Sequence, residues 1–534
     1  MSRPLGALVN NTEHDEDTKR PLLGGARRAG SRLRCFALGA VALQAALVIT
    51  TLIVVLLNYH KLQNLSLNGD SNPAGYKDPR RCSTVIVGGG IGGLYMADQL
   101  ARSGKEPSVC LVEREAWLGG RILDKVFSQV PTAVAGMGAW RFNENHANVK
   151  ALADRFSVPY ELWNFAAENK MEARGIFTNS TDYLRKMAFP VFAAHPMLGN
   201  MSDSDLWSYV TSPTLIQNAS VYPDFGSYLR DKLSPEGWQY LQSVRAYEGD
   251  LFEVDADSYV EFSQLEDQDG PNQYRPLEGM SALVRALTAS CDSAGVRIYL
   301  NEPARSIGRT EKHTFIVQTD MYYIETDKLV INLPPLALAK VEGSIVEQIT
   351  QQLAYQSILP EVAMKGVALY AEAWWEKLPE GVAIVDLQRY VTHSECLTTT
   401  LPYTGRGPNG EAVLHTIYAD GPCGTHWQRI VYESKSSLDA AVKRQLSYIF
   451  PGAQVPDSMA SEYALWDEGA WHFQKPLTGF NLTNIEDWAS QPIDNLPVYL
   501  VGEAYNRRRT WSEGALRSAK DVLARRWNIT SEYN

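Results

Sequence analysis

The stretch Cys82-Ser-Thr-Val-Ile-Val87-Gly88-Gly89-Gly90-Ile91-Gly92-Gly93 decides the fold. Residues 82–87 form a short, mostly β-branched run that reads as a strand. It passes without a break into Gly88-x-Gly90-x-x-Gly93 and then into a helical pattern through Leu94, Ala97, Leu100 and Ala101. Glycine clusters are common in loops, so the motif alone says little. Its context says more: the first glycine permits a tight turn, the second lets the backbone approach a pyrophosphate, and the third lets the helix pack on the strand. The helix N-terminus offers its amide N–H groups to the anion. A second strand at 109–112 ends in Glu113, 20 residues after Gly93, where a carboxylate can accept hydrogen bonds from an adenosine ribose.

Working outward, Glu113 opens the segment Glu-Arg-Glu-Ala-Trp-Leu-Gly119-Gly120-Arg121, which adds two glycines and a positive charge beside the expected pyrophosphate. From Thr84 to Arg121 the order of hydrophobic strand, glycine turn, acidic residue and Gly-Gly-Arg resembles the flavin-containing amine oxidase family. That family includes monoamine oxidases, polyamine oxidases and L-amino-acid oxidases, and L-amino-acid oxidases are the nearest in character. Val498-Tyr-Leu-Val-Gly502-Glu503, followed by Trp511-Ser-Glu-Gly514-Ala515, is similar to the family's closing flavin motif. The resemblance implies that Glu503 binds the ribityl or phosphate region and that the backbone at Gly514 and Ala515 faces the flavin ring. It also places Ala304, in Asn301-Glu-Pro-Ala304, against adenine.

The resemblance extends to chemistry. Lys365, in Ala363-Met-Lys365-Gly, looks like the family lysine that holds a water at the flavin, although an edge-strand lysine would read the same way. Gly136-Met-Gly138-Ala-Trp140-Arg141 resembles the L-amino-acid oxidase segment that delivers an arginine to the substrate carboxylate. Gly138 falls beside the cofactor; the alternative for Arg141 is a structural ion pair. Tyr390 is the second expected carboxylate contact. Trp466 and Trp511, with Trp471, are expected as aromatic walls, or else as core. Ala470 stands where monoamine oxidases carry the cysteine that bonds flavin, so the expected FAD is noncovalent. No metal site is assigned. Arg507-Arg508-Arg509 departs from the family pattern and reads as a solvated loop, or as a gate favouring acidic substrates.

The chain's 534 residues, 45% hydrophobic and 21% charged, exceed one ordinary domain and support a large core. A net charge of -11 argues against nucleic acid as a partner. Residues 35–57 carry no charge over 23 positions, enough to cross a bilayer. Five arginines between Arg20 and Arg34 precede the run, against Lys61 alone just after it, which predicts a signal anchor with a cytosolic tail. Residues 1–34 carry seven Lys/Arg and four Asp/Glu, or +3; the remaining 43 and 57 give -14, an acidic lumenal or extracellular body. Asn64, Asn179, Asn200, Asn218, Asn481 and Asn528 lie in glycosylation frames beyond the span. Five cysteines follow the span. Their odd number leaves at least one thiol free or bridged to another chain; Cys396 with Cys423 is the one proposed pair, against buried unpaired thiols throughout.

The expected fold is α/β. A discontinuous Rossmann-like FAD-binding domain (80–149, 271–340, 471–530) joins a substrate domain of mixed sheet and helices (150–270, 341–470). A cytosolic tail (1–34), a transmembrane helix (35–57) and a stalk (58–79) precede them. The expected reaction is oxidation of an L-α-amino acid by FAD and O2 to the imino and 2-oxo acid, ammonia and H2O2. The alternatives are a monoamine or polyamine oxidase, a flavin-dependent desaturase, and a membrane glycoprotein without turnover. Oligomeric state is left open.

Overall fold

The computed structural model describes residues 80–530, apart from 164–168, 217–218, 246, 248, 250–252, 380–381, 387, 393 and 395. The tail, the expected span at 35–57 and the stalk lie outside the described residues. Among the described residues no helix is long and apolar enough to cross a membrane.

Strand pairing produces two seven-stranded sheets, whose strands are numbered along the chain. The first runs β5 (Arg297–Tyr299), β2 (Val109–Val112), β1 (Arg80–Val87), β8 (Tyr323–Ile331), β7 (Phe315–Gln318) and β6 (Ser306–Arg309). Beside the end of β8 lies β14 (Val498–Leu500). The strands β5, β2, β1, β8 and β14 are parallel, and β6 and β7 form an antiparallel extension. Parallel strands need both faces covered, and the side-chain alternation provides for this. Ile86, Leu111 and Val330 point to the face closed by α1 (Ile91–Arg102), α2 (Ser281–Ser293) and α3 (Ser512–Trp527). Val85, Val87, Leu329 and Ile331 point to the other, where Ile345, Ile349 and Ile485 cover them. Each fully buried side chain of this size stabilises the fold by roughly 1.5–3 kcal/mol.

The second sheet runs β13 (Ala460–Gln474), β9 (Ile358–Tyr370), β12 (Ala412–Asp420), β11 (Thr398–Pro402), β10 (Arg389–Thr392), β3 (Asn169–Ala173) and β4 (Ile176–Thr178). It is mixed, with β10 and β3 parallel and the other neighbours antiparallel. Helices between residues 181 and 267 pack on it through Phe189, Phe192, Phe225 and Tyr240. The first sheet's strands fall inside the three segments expected for the FAD domain. The second sheet departs from its expected limits at one place: β13 is continuous to Gln474, so the boundary at 470 cuts a strand.

Cys396 and Cys423 are joined, with Cα atoms 5.0 Å apart, as the sequence suggested. The sulfurs of Cys82 and Cys110 also meet between β1 and β2, and Cys291 is a buried free thiol.

Candidate active site

A cavity of about 940 Å³ opens at the carboxyl ends of β1, β2, β8 and β14 and is closed on its other side by β9, β12 and β13. The carboxyl ends are where open α/β sheets bind ligands. Of the residues singled out in the sequence, Gly88, Gly90, Glu113, Gly120, Arg121, Gly138, Arg141, Ala304, Lys365, Trp466, Glu503, Trp511 and Ala515 all line it.

The glycine turn is held by sterics and hydrogen bonds. Gly88 has φ +105°, and a Cβ there would stand 2.4 Å from the Asn332 carbonyl oxygen. Its N–H donates to Val112 O at 2.8 Å, tying β1 to β2. Glu113 is fixed by two backbone donors: Gly89 N–H to Oε2 at 2.7 Å and Glu115 N–H to Oε1 at 2.9 Å. Burial nonetheless raises its pKa above the ordinary carboxylate value. Gly93 and Gly514 do not line the cavity. They serve the packing beneath it, because a Cβ on Gly93 would lie 2.2 Å from Gly88 O and one on Gly514 would lie 2.0 Å from Arg508 O.

Glu503 is the centre of a buried knot. Its Oε1 accepts from Arg121 Nη1 at 2.7 Å and from His472 Nδ1 at 2.6 Å, and its Oε2 accepts from Thr510 N–H at 3.0 Å. Burial opposes ionisation, but the His472 ring and the Arg121 guanidinium outweigh it and hold the carboxyl well below its usual range. Burial lowers the His472 pKa, so the ring is neutral near pH 7, and with a carboxylate as its partner Nδ1 carries the hydrogen. Arg121 Nη1 also donates to the carbonyls of Gly469 and Ala470, at 3.2 and 3.0 Å.

These residues fit FAD. A Cβ on Gly90 would crowd Asn332 Nδ2 at 3.0 Å, and one on Gly120 would crowd Gly90 Cα at 3.3 Å. The bare backbone there forms a cradle that a pyrophosphate can approach. Among the described residues no cysteine lines the cavity, and the side chain at 470 is a methyl group.

Lys365 and Arg141 both line the cavity and both lie by the Trp140 ring. Lys365 Nζ donates to Gly138 O at 2.6 Å and lies 4.1 Å from the Trp140 ring centre and 4.0 Å from that of Tyr418. Burial, reinforced by the Arg141 charge and opposed by Asp124, pushes the lysine well below its ordinary value of 10.5. Gly138 itself packs closely on Arg121, whose carbonyl oxygen would be 1.8 Å from a Cβ at 138. Arg141 is 8% exposed; its Nη2 donates to Tyr247 OH at 2.9 Å, and its guanidinium lies 5.6 Å from the Trp511 ring. Trp466 Nε1 donates to Met137 O at 2.8 Å, and Trp511 Nε1 donates to Glu266 at 2.7 Å, which fixes both indoles as walls. Trp471 lines the cavity as well.

Besides Gly514, two expectations are corrected. Tyr390 does not reach the cavity: it is 3% exposed in the core, 5.7 Å from the Phe450 ring. Its neighbour Arg389 points the other way along the same strand and feels the Arg141 charge, which adds to burial in lowering its pKa to about 10. The triplet Arg507–Arg509 is neither a solvated loop nor a gate. Arg507 pairs with Glu261 and Glu486 at 3.4 Å, Arg508 binds Asp269 and Leu265 O, and Arg509, 1% exposed, donates to Gln474 at 3.1 Å. Asp269 also holds His146 at 3.0 Å, and the His146 ring lies 4.9 Å from that of Trp511. Arg508→Ala is therefore expected to destabilise the protein by about 3 kcal/mol, because it strands a buried carboxylate. Substrate preference should stay unchanged; thermal unfolding and a substrate panel measure the two effects.

Sequence reasoning missed Tyr247, Tyr418, Arg245, Asp420 and Asn332, all on the cavity wall.

Residues 91–523 match the family described as flavin containing amine oxidoreductase. An uncharacterized protein of Acanthamoeba polyphaga mimivirus is 22% identical over 514 residues, covering 85% of this chain and 96% of that protein. Tryptophan 2-monooxygenase of Pseudomonas savastanoi is 44% identical over 89 residues, which are 16% of this chain and 15% of that protein. Among solved structures, cyclohexylamine oxidase from Brevibacterium oxydans superposes with a TM-score of 0.62 at 15% identity, covering 83% of this chain and 98% of that one. The glycine cradle, the Glu113 and Glu503 carboxylates and the match over most of the chain lead to one conclusion: this chain belongs to the flavin-containing amine oxidoreductase family and is an α/β, FAD-dependent oxidoreductase.

Proposed function

We propose that the enzyme oxidises the C–N bond of an L-α-amino acid with O2, giving the imino acid, which hydrolyses to the 2-oxo acid and ammonia, and H2O2. Arg141 carries this reading, as a buried guanidinium on the wall of the same cavity as Lys365, steered by Tyr247. A planar fork binds a carboxylate at two points and fixes the Cα–H direction. Bound FAD supplies two-electron acceptance and reaction with O2. The protein does the rest: Arg141 orients the substrate, the Trp466, Trp471 and Trp511 walls exclude water, and Lys365 holds or moves a proton at Nζ. The sequence match to tryptophan 2-monooxygenase, a protein named for an amino acid, supports the reading. A second reading, an oxidase of simple amines, is favoured by the acidic side chains of Asp420 and Glu266 on the same wall and by the fold shared with cyclohexylamine oxidase. In that case Arg141 is structural. Peroxide release on a panel of L-amino acids, monoamines and polyamines separates the two; activity confined to amines sinks the first.

The FAD is expected to be noncovalent, because Ala470 has no nucleophile to offer. Acid precipitation should leave all the flavin in the supernatant. Acid frees the flavin by opening the fold, and Glu503 makes an acid-sensitive contribution to the fold's stability. That carboxyl is held below its ordinary value of 4.5, so its contribution is complete above pH 4.5 and is lost as pH falls further toward the folded-state value. Flavin fluorescence on acid titration should rise only in that window.

We also propose a single-pass anchor at 35–57 with the catalytic body lumenal or extracellular. The arginine bias before the span supports it, as do the exposed positions of Asn179, Asn200, Asn481 and Asn528 and the Cys396–Cys423 bridge. Glycosidase digestion of the protein from a eukaryotic host should increase its mobility; no change would argue against this topology.

A further inference from the structure

Asn179 stands in the run Ile176-Phe177-Thr178-Asn179-Ser180-Thr181. Of the six glycosylation frames it alone has an aromatic residue two positions before the asparagine. Phe177 belongs to β4, the outermost strand of the second sheet, and side chains two apart along an extended chain project to the same side, about 7 Å from one another. Phe177 is 37% exposed, and Asn179, just past the strand, is exposed too. A second exposed ring lies beside the first. Tyr448, on the helix Lys435–Ile449, is 38% exposed, with its ring centre 5.9 Å from that of Phe177. Both rings are held from below by Glu172, which pairs with Phe177 across the hairpin and is 1% exposed. Its carboxylate accepts from Tyr448 OH at 3.2 Å, from Gly175 N–H at 2.9 Å and from Thr392 Oγ1 at 2.8 Å. The backbone after Asn179 is fixed as well: Thr178 Oγ1 accepts from Ser180 N–H at 3.0 Å, and Ser180 caps the helix Thr181–Ala188 by accepting from Tyr183 N–H at 3.2 Å. Other frames are engaged differently. Asn200 Nδ2 donates to Pro196 O at 3.1 Å, Asn481 Oδ1 accepts from Asn484 N–H at 2.8 Å, and Asn528 holds φ +51° at a helix end.

We propose that an N-linked glycan on Asn179 docks its first sugar on the Phe177–Tyr448 platform and so ties β4 to the helix Lys435–Ile449. The proposal rests on the lumenal or extracellular reading above, because only there does the chain meet a lipid-diphosphate-linked oligosaccharide. In the transfer, the bond from the sugar's anomeric carbon to the diphosphate oxygen breaks and a bond from that carbon to Asn179 Nδ2 forms. The lipid diphosphate leaves, one Nδ2 proton is released, and no electrons change hands. An N-acetylglucosamine ring presents one face of C–H groups, which suits the electron-rich face of an aromatic ring. Two rings already fixed at the surface offer that face with little left to order. The docked sugar would cover apolar surface on an edge strand, where chains otherwise pair with one another.

The full chain is produced in a mammalian host, and mass spectrometry of its glycopeptides reads the occupancy of each frame. The native protein is then treated with peptide N-glycosidase, and release is followed site by site. The expected result is an occupied Asn179 whose glycan is released about 2- to 10-fold faster in Phe177→Ala than in wild type, the range that one aromatic contact supplies. Release at Asn200 and Asn481 should not change, and Phe177→Tyr, which keeps a ring, should keep the wild-type rate. Equal release from wild type and Phe177→Ala overturns the docking. So does an empty Asn179 in protein glycosylated at other frames, and in both cases the topology stands. Protein with every frame empty overturns the topology and the docking together. A second readout needs no variant: removal of the glycan should speed hydroxyl-radical labelling of Phe177 and Tyr448, and unchanged labelling overturns the proposal.

Discussion

Arg141→Ala is expected to lower kcat/KM for the best L-amino acid by about 10²–10³-fold while FAD stays bound. The magnitude follows from what truncating one partner of a buried, hydrogen-bonded charge pair costs, about 2–5 kcal/mol. Arg141 is a strong case because it is buried and already steered by Tyr247 and by the Trp140 and Trp511 rings. Little ordering remains to be done when a carboxylate arrives. Arg141→Lys keeps the charge but loses the fork, and should recover only part of the loss. Tyr247→Phe removes the hydroxyl that holds the fork and should cost about 1 kcal/mol. Amines without a carboxylate provide the control. If the Arg141→Ala enzyme oxidises the preferred substrate of the wild type equally well, the clamp does not exist.

What the sequence revealed of this site divides by the range of the forces involved. The glycine turn, Glu113, Gly120 and Arg121 were legible because a tight turn and a close backbone approach constrain residue type at fixed spacing, within 40 residues of chain. Arg141 and Lys365 were reached through resemblance, and the fold brings both to the cavity beside Trp140. Tyr390 failed for a reason of parity. Along a strand, successive side chains face opposite ways, so a one-residue error in register exchanges the half-buried Arg389 for the core residue Tyr390. Tyr247, Arg245 and Asp420 were invisible because no local pattern marks them; sheet pairing and the helical layer bring them to the cavity from separate segments. The arginine triplet shows the same limit in reverse. Three adjacent charges look solvated until Glu261, Asp269, Gln474 and Glu486 arrive from other parts of the chain. The proposed membrane span at 35–57, like the glycine turn, is read from local composition; it lies outside the described residues.

Lys365→Met should slow reoxidation of the reduced enzyme by O2 about 10²-fold and leave substrate oxidation within a few-fold of wild type. The two half-reactions are measured separately by anaerobic mixing with substrate and by mixing the reduced enzyme with O2. The charge environment of Lys365 makes the prediction specific. Burial and the Arg141 guanidinium both disfavour its ammonium form. Arg141→Ala removes one of these and should move the lysine's limb of the pH–rate profile to higher pH. Lys365→Met should abolish that limb in either background, which a packing role for the side chain would not do. Stability supplies an independent check. The folded protein binds the lysine proton more weakly than the unfolded chain, whose value is near 10.5, so burying Lys365 costs stability. The cost is complete below the lowered pKa and disappears as pH rises to 10.5. Lys365→Met should therefore raise Tm at neutral pH, by an amount that shrinks toward pH 10. If the Tm difference did not change with pH, the lysine would titrate normally, and its role in the proton economy of the site would fall with it.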